Sequence, residues 1–112
     1  MSEPRLKAKI WAQALLRAAA AQGMMATLLR KGDEDAGTVL IKQNLQGTGF
    51  RVLTPIRDGD GGKAWLPGTG PLPVEDPVAE AYILRQIERD RDLWILEIED
   101  REGRLPMGEK IL

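Results

Sequence analysis

Residues 93–99 constrain this chain more than any other segment. Trp94, Leu96 and Ile98 fall on one side of an extended backbone, and Ile95, Glu97 and Glu99 fall on the other. That alternation predicts a half-buried strand, and a strand needs partners for its peptide groups. Candidate partners lie upstream. Residues 24–30 are short and apolar with a charged end. In 38–43, Val39 and Ile41 alternate with Leu40 and Lys42. Residues 50–54 form a third candidate, limited or placed at an edge by Pro55, and 63–66 a possible fourth. Polar, glycine-rich turns separate them: 31–37, 46–49 and 58–62.

Helical patterns bracket these strands. Residues 4–22 open with Pro4 in the first turn, are rich in Ala and Leu, and stop at Gly23. Ile10, Trp11, Ala14, Leu15 and Ala18 share one face. After an irregular Pro/Gly connector at 67–77, Asp76 and Pro77 start a second helix that runs to about 90, with Ala79, Ile83 and Ile87 in a row and Tyr82 beside them. The predicted class is α+β: one small domain spanning 1–112, with an antiparallel sheet of four to five strands and both helices on one face. The order is helix, three or four strands, helix, strand. Residues 104–112 read as a loose tail.

Composition narrows the chemistry. The 112 residues include no Cys and no His, and Ser2 is the only serine. Thiolate nucleophiles, disulfides, Cys-type zinc sites and the Ser-His-Asp and Cys-His catalytic families are thereby excluded. No segment has the form of a secretory signal or a membrane span, so a cytoplasmic protein without membrane contact is expected. The glycine pairs at 47/49, 59/61 and 68/70 each lack the third glycine of a dinucleotide fingerprint, and Gly62-Lys63 is followed by Ala64 rather than Ser or Thr. Counting from Asp58, a calcium loop would need Gly at position 63 and Glu at 69, where Lys63 and Thr69 stand. Asp33, Glu34 and Asp35 form an acidic cluster in a turn, read as a solvated face. No catalytic, cofactor or metal residue is assigned, and no cofactor is expected.

Three features remain as candidates for function. Glu97 and Glu99 share a strand face with Asp100 next in sequence. Such carboxylates could serve a metal-assisted hydrolase, but strand alternation already predicts them as the solvent face of a half-buried strand, and that is the favoured reading. Trp11 and Trp94 read as core, whereas Trp65, beside the Gly/Pro connector, could be an exposed interface anchor. Charge is also segregated. Residues 1–31 hold six basic side chains against Glu3, a net of +5, while 75–104 hold ten acids against five arginines, a net of -5. Arg5, Lys9 and Arg17 on the first helix could meet an acidic partner or a phosphate backbone. With no aromatic platform among them and an acidic far end, nucleic acid ranks last.

Several motifs carry a family resemblance. Pro4-Arg5-Leu6-Lys7 leading to Ile10-Trp11, then Arg30-Lys31-Gly32-Asp33, Arg57-Asp58-Gly59 and Glu80-Ala81-Tyr82-Ile83, together with residues 92–103, resemble the alphaproteobacterial family of domains of unknown function 1491. The resemblance spans about 4–104 and implies a small, single-domain, cytoplasmic bacterial protein, with no activity attached. The expected function is a non-enzymatic protein-interaction or self-association module. Its candidate surface comprises Arg5, Lys9, Arg17, Trp65, Glu97, Glu99 and Asp100.

Overall fold

The computed structural model describes residues 7–57, 59 and 63–112. Along the chain run α1 (Ala8–Ala21), β1 (Met25–Arg30), β2 (Val39–Asn44), β3 (Phe50–Arg57), β4 (Lys63–Pro67), α2 (Asp76–Arg89), β5 (Trp94–Glu99) and β6 (Lys110–Ile111). The α+β class and the single domain predicted from sequence are both present. The predicted start of the first helix at Pro4, and most of the 58–62 turn, lie outside the described residues.

The sheet departs from the antiparallel meander. Among the described residues its order is β1-β5-β2-β3-β4-β6, and it is six-stranded and mixed. β5 enters between β1 and β2, antiparallel to the first and parallel to the second, with Leu96 opposite both Leu28 and Ile41. β2, β3 and β4 do form the expected antiparallel run. Pro55 stands within β3, where its missing N–H costs nothing in pairing to β2. That ladder ends at Leu53, and Pro55 faces only Trp65 of β4.

The helices cover opposite faces, not one. Leu15, Ala12 and Ala19 of α1 pack with Val39, Ile41, Leu53, Trp94, Leu96 and Ile98. Ala79 and Ile83 of α2 pack with Leu40, Val52, Leu93 and Ile95. The reason is in β2 and β5. Val39, Leu40 and Ile41 are consecutive and all buried, as are Trp94, Ile95 and Leu96, so both sides of the sheet centre need a cover. The buried stripe of α1 is also shifted from the predicted one. Ala8, Ala12, Leu15 and Ala19 face the sheet, Trp11 is half-buried, and Ile10 is exposed. Alanines let the helix axis approach the strands closely.

The 31–37 turn wraps the start of β5. The Asp33 N–H donates to the Asp92 carbonyl at 3.1 Å, and Trp94 Nε1 donates to the Asp33 carbonyl at 2.7 Å. A Cβ on Gly32 would lie 2.0 Å from the Asp92 oxygen, and one on Gly37 would lie 2.3 Å from the same atom. These glycines are therefore required by close approach. The C-terminal stretch is not the loose tail expected from sequence. Leu105 is buried against the α1 face, Gln22 Nε2 of the α1 C-cap donates to the Pro106 carbonyl, and β6 pairs with β4. The apolar residues it packs against the core, Leu105 and Ile111, are spaced too far apart to show a periodic pattern.

Candidate functional site

The basic start of the chain meets an acidic partner within the same domain. The N-cap residue of α1, Lys7, makes no side-chain cap hydrogen bond. Instead the Ala8 and Lys9 N–H groups donate to the Asp35 and Glu34 carbonyls, at 3.4 and 3.0 Å. Lys7 pairs with Asp35 at 3.5 Å, Lys9 with Glu34 at 3.8 Å, and Lys31 with Glu34 at 3.5 Å. The acidic cluster of the turn thus sits at the positive end of the helix dipole. Arg17 is exposed on α1, and Arg5 lies outside the described residues. The structure does not gather Arg5, Lys9 and Arg17 into one described patch.

The three carboxylates of 97–100 do not converge, and Glu97 and Asp100 take separate partners. Glu97 lies 3.6 Å from Lys42 Nζ. Asp100 accepts from the Arg104 N–H at 2.7 Å and from its guanidinium at 3.0 Å. These hydrogen bonds, the side-chain one first, hold the Asp100 carboxyl below the usual carboxylate range. Glu99 is half-buried on β5, opposite Met25 of β1. Among the described residues, no group of three or more acidic side chains is disposed to hold a metal ion.

Lys42 was not singled out from sequence, yet it is the most unusual charge in the domain. It is buried on β2 with its Nζ 2.6 Å from Asp76 Oδ1, hydrogen-bonded also to Glu80, and 4.8 Å from the centre of the Phe50 ring. Burial works against its charge, but the hydrogen bonds it donates to the Asp76 and Glu80 carboxylates, and their negative charge, together outweigh burial and hold the ammonium above the ordinary lysine range. The available signal was Leu40. It shares the Lys42 side of the strand, so that side also faced inward.

Trp65 is the reverse case. Its side chain is 1% exposed and belongs to the α1-side core, so it is no exposed anchor. β4 is an inner strand, and β6 covers the flank that sequence left open. Trp65 forms part of a cleft of about 280 Å³ with Trp11 of α1, Pro55 and Ile56 of β3, Lys63 of β4, and Glu109. Lys63 Nζ sits 3.9 Å from the centre of the Trp11 ring. Trp65 Nε1 and Glu109 Oε1 are buried with no hydrogen-bond partner among the described residues.

A second exposed feature is β1, which ends the sheet on one side. Among the described residues its only strand partner is β5, and Met25, Leu28 and Leu29 are 65%, 43% and 47% exposed. Its register with β5 shifts between Leu28 and Arg30, and Arg30 donates from its guanidinium to the Leu93 carbonyl at 2.6 Å.

These features define a small α+β domain whose mixed sheet lies between two helices, with an open apolar edge and one tryptophan-lined cleft. Comparison with protein families matches residues 6–108 to the family described as protein of unknown function (DUF1491). The chain belongs to that family. It is similar to the crystal structure of a DUF1491 family protein from Caulobacter crescentus CB15, with 36% identity and a TM-score of 0.82 over 96% of this chain and 100% of that one. An NMR structure of a DUF1491 family protein from the same organism gives 36% identity and a TM-score of 0.81, over 98% and 99% of the two chains. A solution structure of a protein from A. tumefaciens is 27% identical, with a TM-score of 0.73 over 87% of each chain. Comparison with curated proteins gives no match.

Proposed function

We propose that this protein is a non-enzymatic, cytoplasmic interaction module that pairs with a second copy of itself along β1. The observation that carries the reading is the open edge of that strand. It is six residues long, with three exposed apolar side chains and Arg30 as its only charge. An exposed strand edge presents unpaired N–H and C=O groups, and proteins ordinarily blunt such an edge with charge, proline or a cover. Among the described residues, the register shift and the terminal arginine are the only such devices. Antiparallel pairing about a twofold axis is self-complementary and sets Met25 of one copy near Leu29 of the other. The opposite edge, β6, has two residues and offers no comparable template.

The opposed charge blocks of the sequence support a different route to self-association, and the two routes respond differently to salt. Pairing through charge blocks weakens as salt rises, because surface charges are screened over about 8 Å at physiological ionic strength. Edge pairing through Met25, Leu28 and Leu29 does not. Sedimentation across protein and salt concentration is the test. The expected result is a salt-insensitive dimer that a Met25→Lys/Leu29→Lys double variant, folded by circular dichroism, converts to monomer. A wild-type chain that stays monomeric at high concentration and low salt would overturn the proposal.

A further inference from the structure

The cleft between α1 and the β3–β4 hairpin contains groups that the edge-pairing proposal does not use. Trp65 contributes a donor-only N–H and Glu109 an acceptor-only carboxylate oxygen, both buried and both without a partner among the described residues. A buried polar group left unpaired destabilises a fold, so two on residues that line one cleft are a standing cost. Core packing does not require the pair. Phe in place of Trp65 and an apolar residue in place of Glu109 would fill similar space without the penalty. Apart from Lys63, the rest of the lining is apolar or aromatic, with Pro55, Ile56 and Ala64 beside Trp11. At one wall, the Trp11 ring already carries a cation on its face, the Lys63 ammonium at 3.9 Å.

We propose that this cleft binds a planar organic cation of the guanidinium class that also carries a carbonyl acceptor. Each group in the cleft selects one part of that ligand. The Glu109 carboxylate takes N–H donors and a positive charge. The Trp65 N–H takes the carbonyl oxygen. The Trp11 face takes the flat cation, because guanidinium groups stack on indole and are weakly hydrated. Lys63 then acts as the resident occupant of the Trp11 face. It is exposed and flexible enough to swing out when the ligand arrives. The ligand chemistry can come from free arginine-like molecules or from an arginine side chain of a protein, and the probes below separate these sources.

The test uses the full chain labelled with ¹⁵N, titrated with N-acetyl-L-argininamide, free L-arginine and L-citrulline, the last a neutral isostere of arginine. The three indole N–H signals, one for each tryptophan, are assigned with Trp11→Phe and Trp94→Phe variants. Expected is a saturable shift of the Trp65 indole signal with an arginine probe and none with citrulline. Binding of the blocked probe alone points to a protein side chain as the source, and binding of free arginine alone points to a small molecule. Glu109→Gln, with its melting temperature checked, should weaken binding about tenfold, the loss of one charge-assisted hydrogen bond. Lys63→Ala should tighten it about two- to fivefold, because the ligand no longer displaces the resident cation. Absence of any Trp65 shift at millimolar arginine probe overturns the proposal. So does equal binding of citrulline, or a Lys63→Ala variant that binds more weakly than wild type. None of these outcomes depends on whether the chain dimerises along β1.

Discussion

Lys42 shows how one residue can organise a face of the domain. Its ammonium is buried beside three carboxylates, Asp76 and Glu80 from α2 and Glu97 from β5. It ties the α2 side of the sheet together where apolar packing ends. Lys42→Met keeps the volume of the stem but leaves three acids facing one another. The expected loss is about 1–3 kcal/mol at pH 7, less than the 3–5 kcal/mol typical of a broken, fully buried pair, because Asp76 and Glu80 are half exposed to solvent. The pH dependence follows from the direction of the shift. The folded-state pKa is raised, so the stabilisation is fully present below the unfolded lysine pKa of about 10.4 and is lost as pH rises through the higher folded value. Urea unfolding at pH 7, 9 and 11 should show the wild type ahead of Lys42→Met by a constant margin at the first two and a smaller one at the last. A margin that grew at pH 11 would contradict the assignment.

At the scale of elements, the 31–37 turn does more than connect β1 to β2. Its carbonyls cap α1, its glycines clear the Asp92 carbonyl, and it holds the indole of Trp94. Asp33 shapes it, accepting from the Asp35 and Ala36 N–H groups at 3.1 and 2.8 Å. Asp33→Ala should therefore cost about 0.5–2 kcal/mol, the range of a lost cap. Because the effect is transmitted to the helix, the Ala8 and Lys9 amides should exchange with solvent faster, while the Ile83 amide in α2 stays unchanged. Unaltered exchange at Ala8 and Lys9 would show that the turn and the helix are independent. This turn also marks where the sequence stopped being legible. Strand positions were readable because alternation and turn residues are local. β1, β2, β4 and β5 begin within a residue of where the pattern placed them, and β3 begins at Phe50 itself. The insertion of β5 between β1 and β2 was not readable, because no local pattern says which strand a residue 50 positions away will pair with. The nearest clue was a seven-residue turn bracketed by Gly32 and Gly37, too long for a tight hairpin. The same limit applied to part of the candidate site. Glu97, Glu99 and Asp100 were placed on the correct strand end, but the Glu97 partner, Lys42, is a neighbour only in space, whereas Arg104 follows Asp100 closely in sequence and was within local reach. Trp65 was assigned to the surface because β6, its cover, is two residues long and has no signal of its own.

For the whole molecule, the last stretch of chain closes the α1 side. Leu105 is 6% exposed and joins the same cluster as Leu15, Trp65 and Trp94. The Leu112 N–H donates to the Trp65 carbonyl at 2.7 Å, and Ile111 lies opposite Trp65 in the β4–β6 ladder. Arg104 completes the turn that ends β5 through its hydrogen bonds to Asp100. Removing residues 104–112 therefore takes away one core side chain, one strand and the wall of the tryptophan cleft. Burial of a leucine alone contributes roughly 1.5–3 kcal/mol, against a total stability of about 5–15 kcal/mol for a domain of this kind. A chain ending at Gly103 should unfold as one cooperative transition at a clearly lower temperature, with its tryptophan emission shifted to longer wavelength as Trp65 meets water. If the segment were a loose tail, truncation would leave both the midpoint and the emission unchanged. The thermal midpoint followed by tryptophan fluorescence separates the two cases, and loss of the Trp65 environment without loss of the fold would show that the segment seals the cleft without supporting the core.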